Sequence, residues 1–164
     1  MFLYRVKQFY SALTAKIDEN DKAFLKTYLN YNELQLFYKL AVYEQKHSIN
    51  VAVYAKKLQE TRDIKSDIIV KAALLHDIGK IEKKLNVIEK SILVLLNKFT
   101  KGRIRYIRNS KCIDTYYNHP EKGYSILKKY NVDERVLYLV RNHHNKNIID
   151  NKELNILIES DNNN

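Results

Sequence analysis

Glycine and proline are scarce in this chain, three and one among 164 residues. That leaves little of the turn chemistry that a sandwich or barrel of many short strands requires. Helices are the expectation. A single cysteine, Cys112, can form no internal disulfide and no cysteine cage for zinc. No aliphatic run exceeds Ile92–Leu96, far short of the ~18–20 residues that span a bilayer. Arg5 and Lys7 interrupt the start, where a signal peptide would carry an unbroken apolar core. A cytoplasmic protein with no membrane partner is expected.

What is present is the composition of an ordinary globular domain, 45% hydrophobic and 29% charged. The length suits one core, since single domains run to about 100–200 residues. Basic residues outnumber acidic ones 29 to 19, but 22 of them are Lys and they are spread along the chain. A positive field favours anionic substrates, phosphates included. A nucleic-acid surface would cluster Arg and Lys on one face, and no such cluster is visible.

Residues 2–30 read as two helices broken near Asp18–Asp21, with Asp21 as an N-cap. A long helix is expected from about Asn32 to Gln59, then a polar break at Glu60–Lys65. Ser66 caps a short, strongly apolar helix from Asp67 to about Asp77, which Gly79 stops. Residues 85–99 form another apolar helix, residues 103–117 are ambiguous with a helical bias, and Pro120 suits the first turn of a helix reaching Tyr130. Asp133 caps a helix to His143 or His144, and Asp150 or Asn151 opens a last one to Asp161. No stretch alternates at period two for long enough to make a strand. The fold class is all-α.

The five histidines, His47, His76, His119, His143 and His144, are the most informative residues. On the long helix the series Leu36, Leu40, Tyr43, His47, Val51, Tyr54, Leu58 advances by three or four at each step, which is one helical face. His76 follows Ile69 and Ala73 on one face of the short helix. His143 follows Val136 and Leu139, and Asp161 follows Leu154 and Leu157. Ligand-type side chains thus end or interrupt several apolar stripes aimed at the core. One inward histidine is ordinarily a core residue bonded to a backbone carbonyl. Inward histidines joined by two inward carboxylates, Asp77 and Asp161, ask for a cation, because a buried carboxylate without a partner costs several kcal/mol. Within LLHDIGK, His76 and Asp77 end a helix about 100° apart. Lys80 adds a positive charge suited to a phosphate oxygen.

These residues resemble the HD superfamily of metal-dependent phosphohydrolases, and within it the subset with a His-Asp-Ile-Gly (HDIG) motif. The elements run in order: His47 in KHSINVA, His76-Asp77 in LLHDIGK, His119 in NHPEKGYSIL, His143-His144 in RNHHN and Asp161 in ESD, covering about residues 40–161. The resemblance implies a helical bundle, the HD domain, over residues 32–161. Residues 1–31 then form an N-terminal helical extension that covers the bundle or joins a homodimer contact, and 162–164 a disordered tail. It further implies a mono- or dinuclear centre, with His47, His76, Asp77 and Asp161 on a first ion. His119 and His143, with His144 as a further candidate, hold a second, and Asp77 bridges the two.

By the same resemblance, two divalent ions (Mn, Fe, Co or Ni, with Mg admitted) activate a water against a nucleotide or phosphodiester. Asp77 and Lys80 are the catalytic candidates, and Lys80 also binds the phosphate. Asn145-Lys146-Asn147 stand where cyclic-di-GMP phosphodiesterases carry Gly-Tyr-Pro, and Tyr43 where that group can place a metal-binding Glu. Ile78-Gly79-Lys80-Ile81 replace the pattern of guanosine tetraphosphate hydrolases. Both substrates lose weight. The rival readings are a catalytically silent HD domain that binds a nucleotide as a regulator, and a helical nucleic-acid-binding or scaffold protein with a structural metal.

Overall fold

The computed structural model describes residues 10, 13–64, 66–107 and 109–164, and the first of the two helices expected before Asp18 lies largely outside them. The described residues form eight α-helices, two 3-10 segments and no strand. In order these are α1 (Glu19–Tyr28), α2 (Tyr31–Phe37), α3 (Val42–Thr61), α4 (Asp67–Leu75), a first 3-10 segment (Ile78–Glu82), α5 (Val87–Phe99), a second 3-10 segment (Arg103–Tyr106), α6 (Lys111–Lys128), α7 (Glu134–Asn142) and α8 (Lys152–Asn162). None is long and apolar enough to cross a membrane.

The bundle is organised around α4. Its residues Ile69, Val70, Ala72, Ala73, Leu74 and Leu75 are all buried, and it packs on α3, α7, α8 and, more lightly, α1. A helix apolar on every side belongs in the middle. Burying each of its larger side chains contributes about 1.5–3 kcal/mol. Leu25 of α1 and the following Leu29 join the same core, and Asp21 pairs with Lys46 of α3 at 2.6 Å, so the N-terminal segment is fastened to the bundle.

Several local expectations are corrected. Asp18, not Asp21, caps α1; the two make a reciprocal capping box with Asp21 at the third helical position. The single long helix is two. Asn30 opens α2 with its own capping box, the chain turns at Tyr38–Leu40, and extended Ala41 starts α3. The buried residues of α3 are therefore Glu44, Gln45, Ser48, Ile49, Val51, Ala52, Ala55 and Gln59, while Tyr54 is exposed. Ser66 occupies the N-cap of α4 without a capping bond, because its hydroxyl donates to Glu153 at 2.7 Å. The last helix continues through Asn162, one residue beyond the expected end at Asp161, with Asn163 as its C-cap.

Two departures bear on the site. Gly79 lies in the first 3-10 segment, pressed against α6: a Cβ there would stand 2.0 Å from the His119 carbonyl oxygen and 2.7 Å from the Gly123 nitrogen. The missing side chain is what allows two backbones to touch. Pro120 sits in the interior of the 18-residue α6, not in its first turn. Proline there leaves the carbonyl four residues earlier, on Tyr116, with no helical donor.

Candidate metal centre

His47 projects from the middle of α3, and His76 and Asp77 follow the end of α4. His119 lies inside α6, His143 and His144 follow the end of α7, and Asp161 stands in the last turn of α8. The structure brings all seven together. His47 Nε2 lies 3.1 Å from Asp161 Oδ1, and His76 Nε2 is 3.6 Å from that oxygen and 3.4 Å from Asp77 Oδ2. On its other side, Asp77 Oδ1 is 3.3 Å from His119 Nε2, which is itself 3.2 Å from His144 Nε2. Three groups of ligand atoms, each within 4.8 Å, can hold a metal: His47, His76 and Asp161; His76, Asp77 and His143; His119, His143 and His144.

The donor chemistry fits a cation. His76, His119 and His143 each donate Nδ1–H to the backbone carbonyl three residues before, on Ala73, Tyr116 and Val140, at 2.8, 3.0 and 2.6 Å. A carbonyl can only accept, so Nδ1 carries a proton in all three, and wherever the ring is neutral Nε2 is left as a bare lone pair. For His143 that Nε2 is buried with no protein partner. A buried nitrogen acceptor calls for a donor or a cation, and the company of other histidines and carboxylates suits a cation.

The charges point the same way. Burial opposes charge on Asp77, but His76 and Lys80 outweigh it and hold the carboxyl well below the usual range. Asp161 is lowered too, since bonds from His47 and His76 overcome its burial. Burial works against a proton on His76, yet Asp77 and Asp161 raise its pKa to about 9. His119 is pushed down to about 3 by burial and the nearby Lys80, and burial lowers His143 well below the histidine range. Ligand nitrogens on the α6–α7 side are therefore neutral at physiological pH, as ligation requires.

Lys80 does not point into open solvent. Its ammonium bonds Asp77 Oδ2 and lies 3.3 Å from Glu44 Oε2, while Lys90 of α5 reaches the other Glu44 oxygen at 2.8 Å. Glu44 is the residue that sequence reading missed. It stands one turn before His47 on the same helix, buried, and Lys80 and Lys90 keep it charged against its burial. A carboxylate at that spacing was the available signal. Beside His119 and His144 opens a cavity of about 340 Å³, lined by Lys80, Lys83, Lys84 and Lys90 and by Tyr43 and Tyr117, among others.

The family model of the HD domain matches residues 45–162, which is most of the chain and contains every histidine and carboxylate of this centre. The protein belongs to the HD domain family. No curated protein and no solved structure matches it. Membership accounts for the helical fold, and the HD domain here extends from within α3 to the end of α8.

Proposed function

We propose that this HD domain is a metal-dependent phosphohydrolase of the HDIG type, acting on a phosphate ester of a nucleotide or phosphodiester. The observation that carries the reading is the buried Nε2 of His143, without a protein partner and shared by two of the three ligand groups. The filled ligand set supports an enzyme over a silent nucleotide-binding domain. Seven ligand side chains also exceed what one closed structural ion takes.

His47, His76, Asp77 and Asp161 would hold one divalent ion and His119, His143 and His144 a second, with Asp77 between them. Two such ions supply an activated water at neutral pH and neutralise charge on a phosphate. The protein's own residues do the rest. The three Nδ1–H bonds to carbonyls set the tautomer of His76, His119 and His143. Lys80, held between Asp77 and Glu44, fixes the direction of the Asp77 carboxylate and lines the cavity where a phosphate would sit. The lysines of the cavity wall suit an anion, and the rings of Tyr43 and Tyr117 suit a base. Were His119 and His143 to hold the second ion without it, His144, more exposed than His143 and at the cavity wall, would stand where a proton can reach the leaving oxygen.

The test is elemental analysis of protein purified without a metal-affinity tag, followed by assay of phosphodiesters and nucleotides with added Mn(II). The expected result is about two equivalents of transition metal and turnover. Asp77→Ala should abolish turnover and most bound metal while keeping the helical circular dichroism, and His119→Ala should lose one of two ions. Wild-type protein that retains no metal after reconstitution with Mn(II) or Fe(II) would leave a silent, ligand-binding domain as the reading.

A further inference from the structure

Of the five candidate ligand histidines, His144 lies just past the end of α7 and pairs with His119; the other four, on α-helices or at their ends, divide into two kinds. His76 and His143 follow the last turns of α4 and α7, where the Ala73 and Val140 carbonyls have no N–H four residues on to bond them within the helix. Each ring takes the vacant carbonyl with its Nδ1–H. His47 stands inside unbroken α3, where the carbonyl three residues before it, on Glu44, faces the N–H of Ser48 in the helical ladder. Its ring pairs through Nε2 with the Asp161 carboxylate instead of a carbonyl. His119 also stands in a helix interior, yet it behaves like the helix-end pair and bonds Tyr116 at 3.0 Å.

The difference is the next residue. Pro120 is the chain's only proline, it is buried, and it lies four residues after Tyr116. Having no N–H, it strips the Tyr116 carbonyl of its helical partner. We infer that Pro120 is a positioning residue for the second metal, resting on the dinuclear reading above: it makes in mid-helix the carbonyl vacancy that a helix end provides elsewhere. The vacancy draws His119 Nδ1–H, which leaves Nε2 bare and aimed at Asp77 and His144, 3.3 and 3.2 Å away. The proline acts on the ligand through one hydrogen bond and touches no substrate. Beside it, Gly79 and Gly123 let the same stretch of α6 press against the first 3-10 segment.

Pro120→Ala returns an N–H to the ladder and competes for the Tyr116 carbonyl. A merely structural proline, once removed, raises the thermal midpoint or leaves it alone and does nothing to metal affinity, because alanine is the better helix former. The positioning role predicts a split: an unchanged or higher midpoint, with the second metal bound about 10-fold more weakly, the loss typical of removing a ligand's supporting bond. Titration of chelator-stripped protein with Mn(II), read by elemental analysis at limiting metal, measures this. Nitrogen-15 spectra of labelled histidines in the stripped protein give a second readout that needs no metal. Wild type should show His119 as a single Nδ1–H tautomer, and Pro120→Ala a mixture. Equal affinity for both ions with an unmixed tautomer overturns the inference. A wild type that takes up fewer than two ions overturns the dinuclear reading instead, and the tautomer measurement still decides the role of Pro120.

Discussion

Helices α4 and α5 look alike as sequence and end up in opposite environments. One reads DIIVKAALL, the other VIEKSILVLLNKF, and both are dominated by aliphatic residues. In α4 six residues are buried against several neighbouring helices. In α5 only Leu93 is buried, while Ile88 is 61% exposed, Leu95 54% and Phe99 82%. The inward side of α5 carries Lys90 and Asn97, which line the cavity, and rests on a small second core of Leu85, Leu93 and Ile104. Apolar content therefore does not decide burial; the number of elements packed around a helix does. The well-packed half holds the ligands, and the thinly packed half walls the cavity, tied to α3 by Lys90 on Glu44 and by the Tyr43 hydroxyl on the Leu85 carbonyl at 2.7 Å. Thin packing is the common property of segments that open locally.

The comparison can be broken at the glycines first. Gly79→Ala forces a Cβ into the α6 backbone and should destabilise the protein by about 3 kcal/mol or more, with loss of metal, because the His119 carbonyl is the atom it strikes. Gly102→Ala, between α5 and the second 3-10 segment, meets no atom closer than 3.5 Å and pays only for its φ of +84°, about 1 kcal/mol. Urea denaturation of both variants measures the gap; equal losses would mean the two halves are equally packed.

A smaller contrast comes from Leu74→Ala and Leu93→Ala. The first empties a fully buried site and should lose about 3 kcal/mol. The second, on the thin side, has neighbours free to close in and should lose about 1 kcal/mol. Amide exchange should place α5 well below the global unfolding energy and α4 at it. Comparable protection of both helices would contradict the contrast.

Protein treated with a chelator shows the titration of the packed half alone. His76, raised to about 9, contributes stability that is complete below the unfolded value of ~6.5 and is lost as pH rises through about 9. His119, lowered to about 3, contributes stability that is complete above ~6.5 and is lost as pH falls toward about 3. Chelated protein should therefore be most stable near pH 6.5, falling on either side by on the order of 2 kcal/mol. Thermal melts of the chelated protein over that range provide the curve, and His76→Gln should remove its alkaline limb alone. An alkaline limb that survives in that variant would assign it to another group. The smallest effect belongs to the exposed stripe: Leu95→Glu should change stability by less than about 0.5 kcal/mol in the same melts.

Much of this molecule was legible in advance. Scarce glycine and proline, together with helical spacing, carried the all-α class. The order of His47, His76-Asp77, His119, His143-His144 and Asp161 carried the site, because ligand residues interrupting apolar stripes are conspicuous in one dimension. Boundaries were less legible where local signals compete. Asp18 and Asp21 are both good caps, and only their reciprocal bonds decide between them. The break after Phe37 has no glycine or proline to announce it, and Pro120 announces a helix start that does not occur.

Glu44 was passed over because a carboxylate on a helix is ordinarily solvated, and its burial depends on Lys80 and Lys90, which lie 36 and 46 residues away along the chain. What the sequence determined by itself was the chemistry: which side chains could ligate, which faces were apolar, and that helices would carry them. What only the tertiary structure decided was proximity, because helix faces are set by neighbours three and four residues apart while the site is assembled from five helices. The contact of Gly79 with α6 and the gathering of His143 among the other histidines are relations between segments, and no local pattern encodes a distance between them.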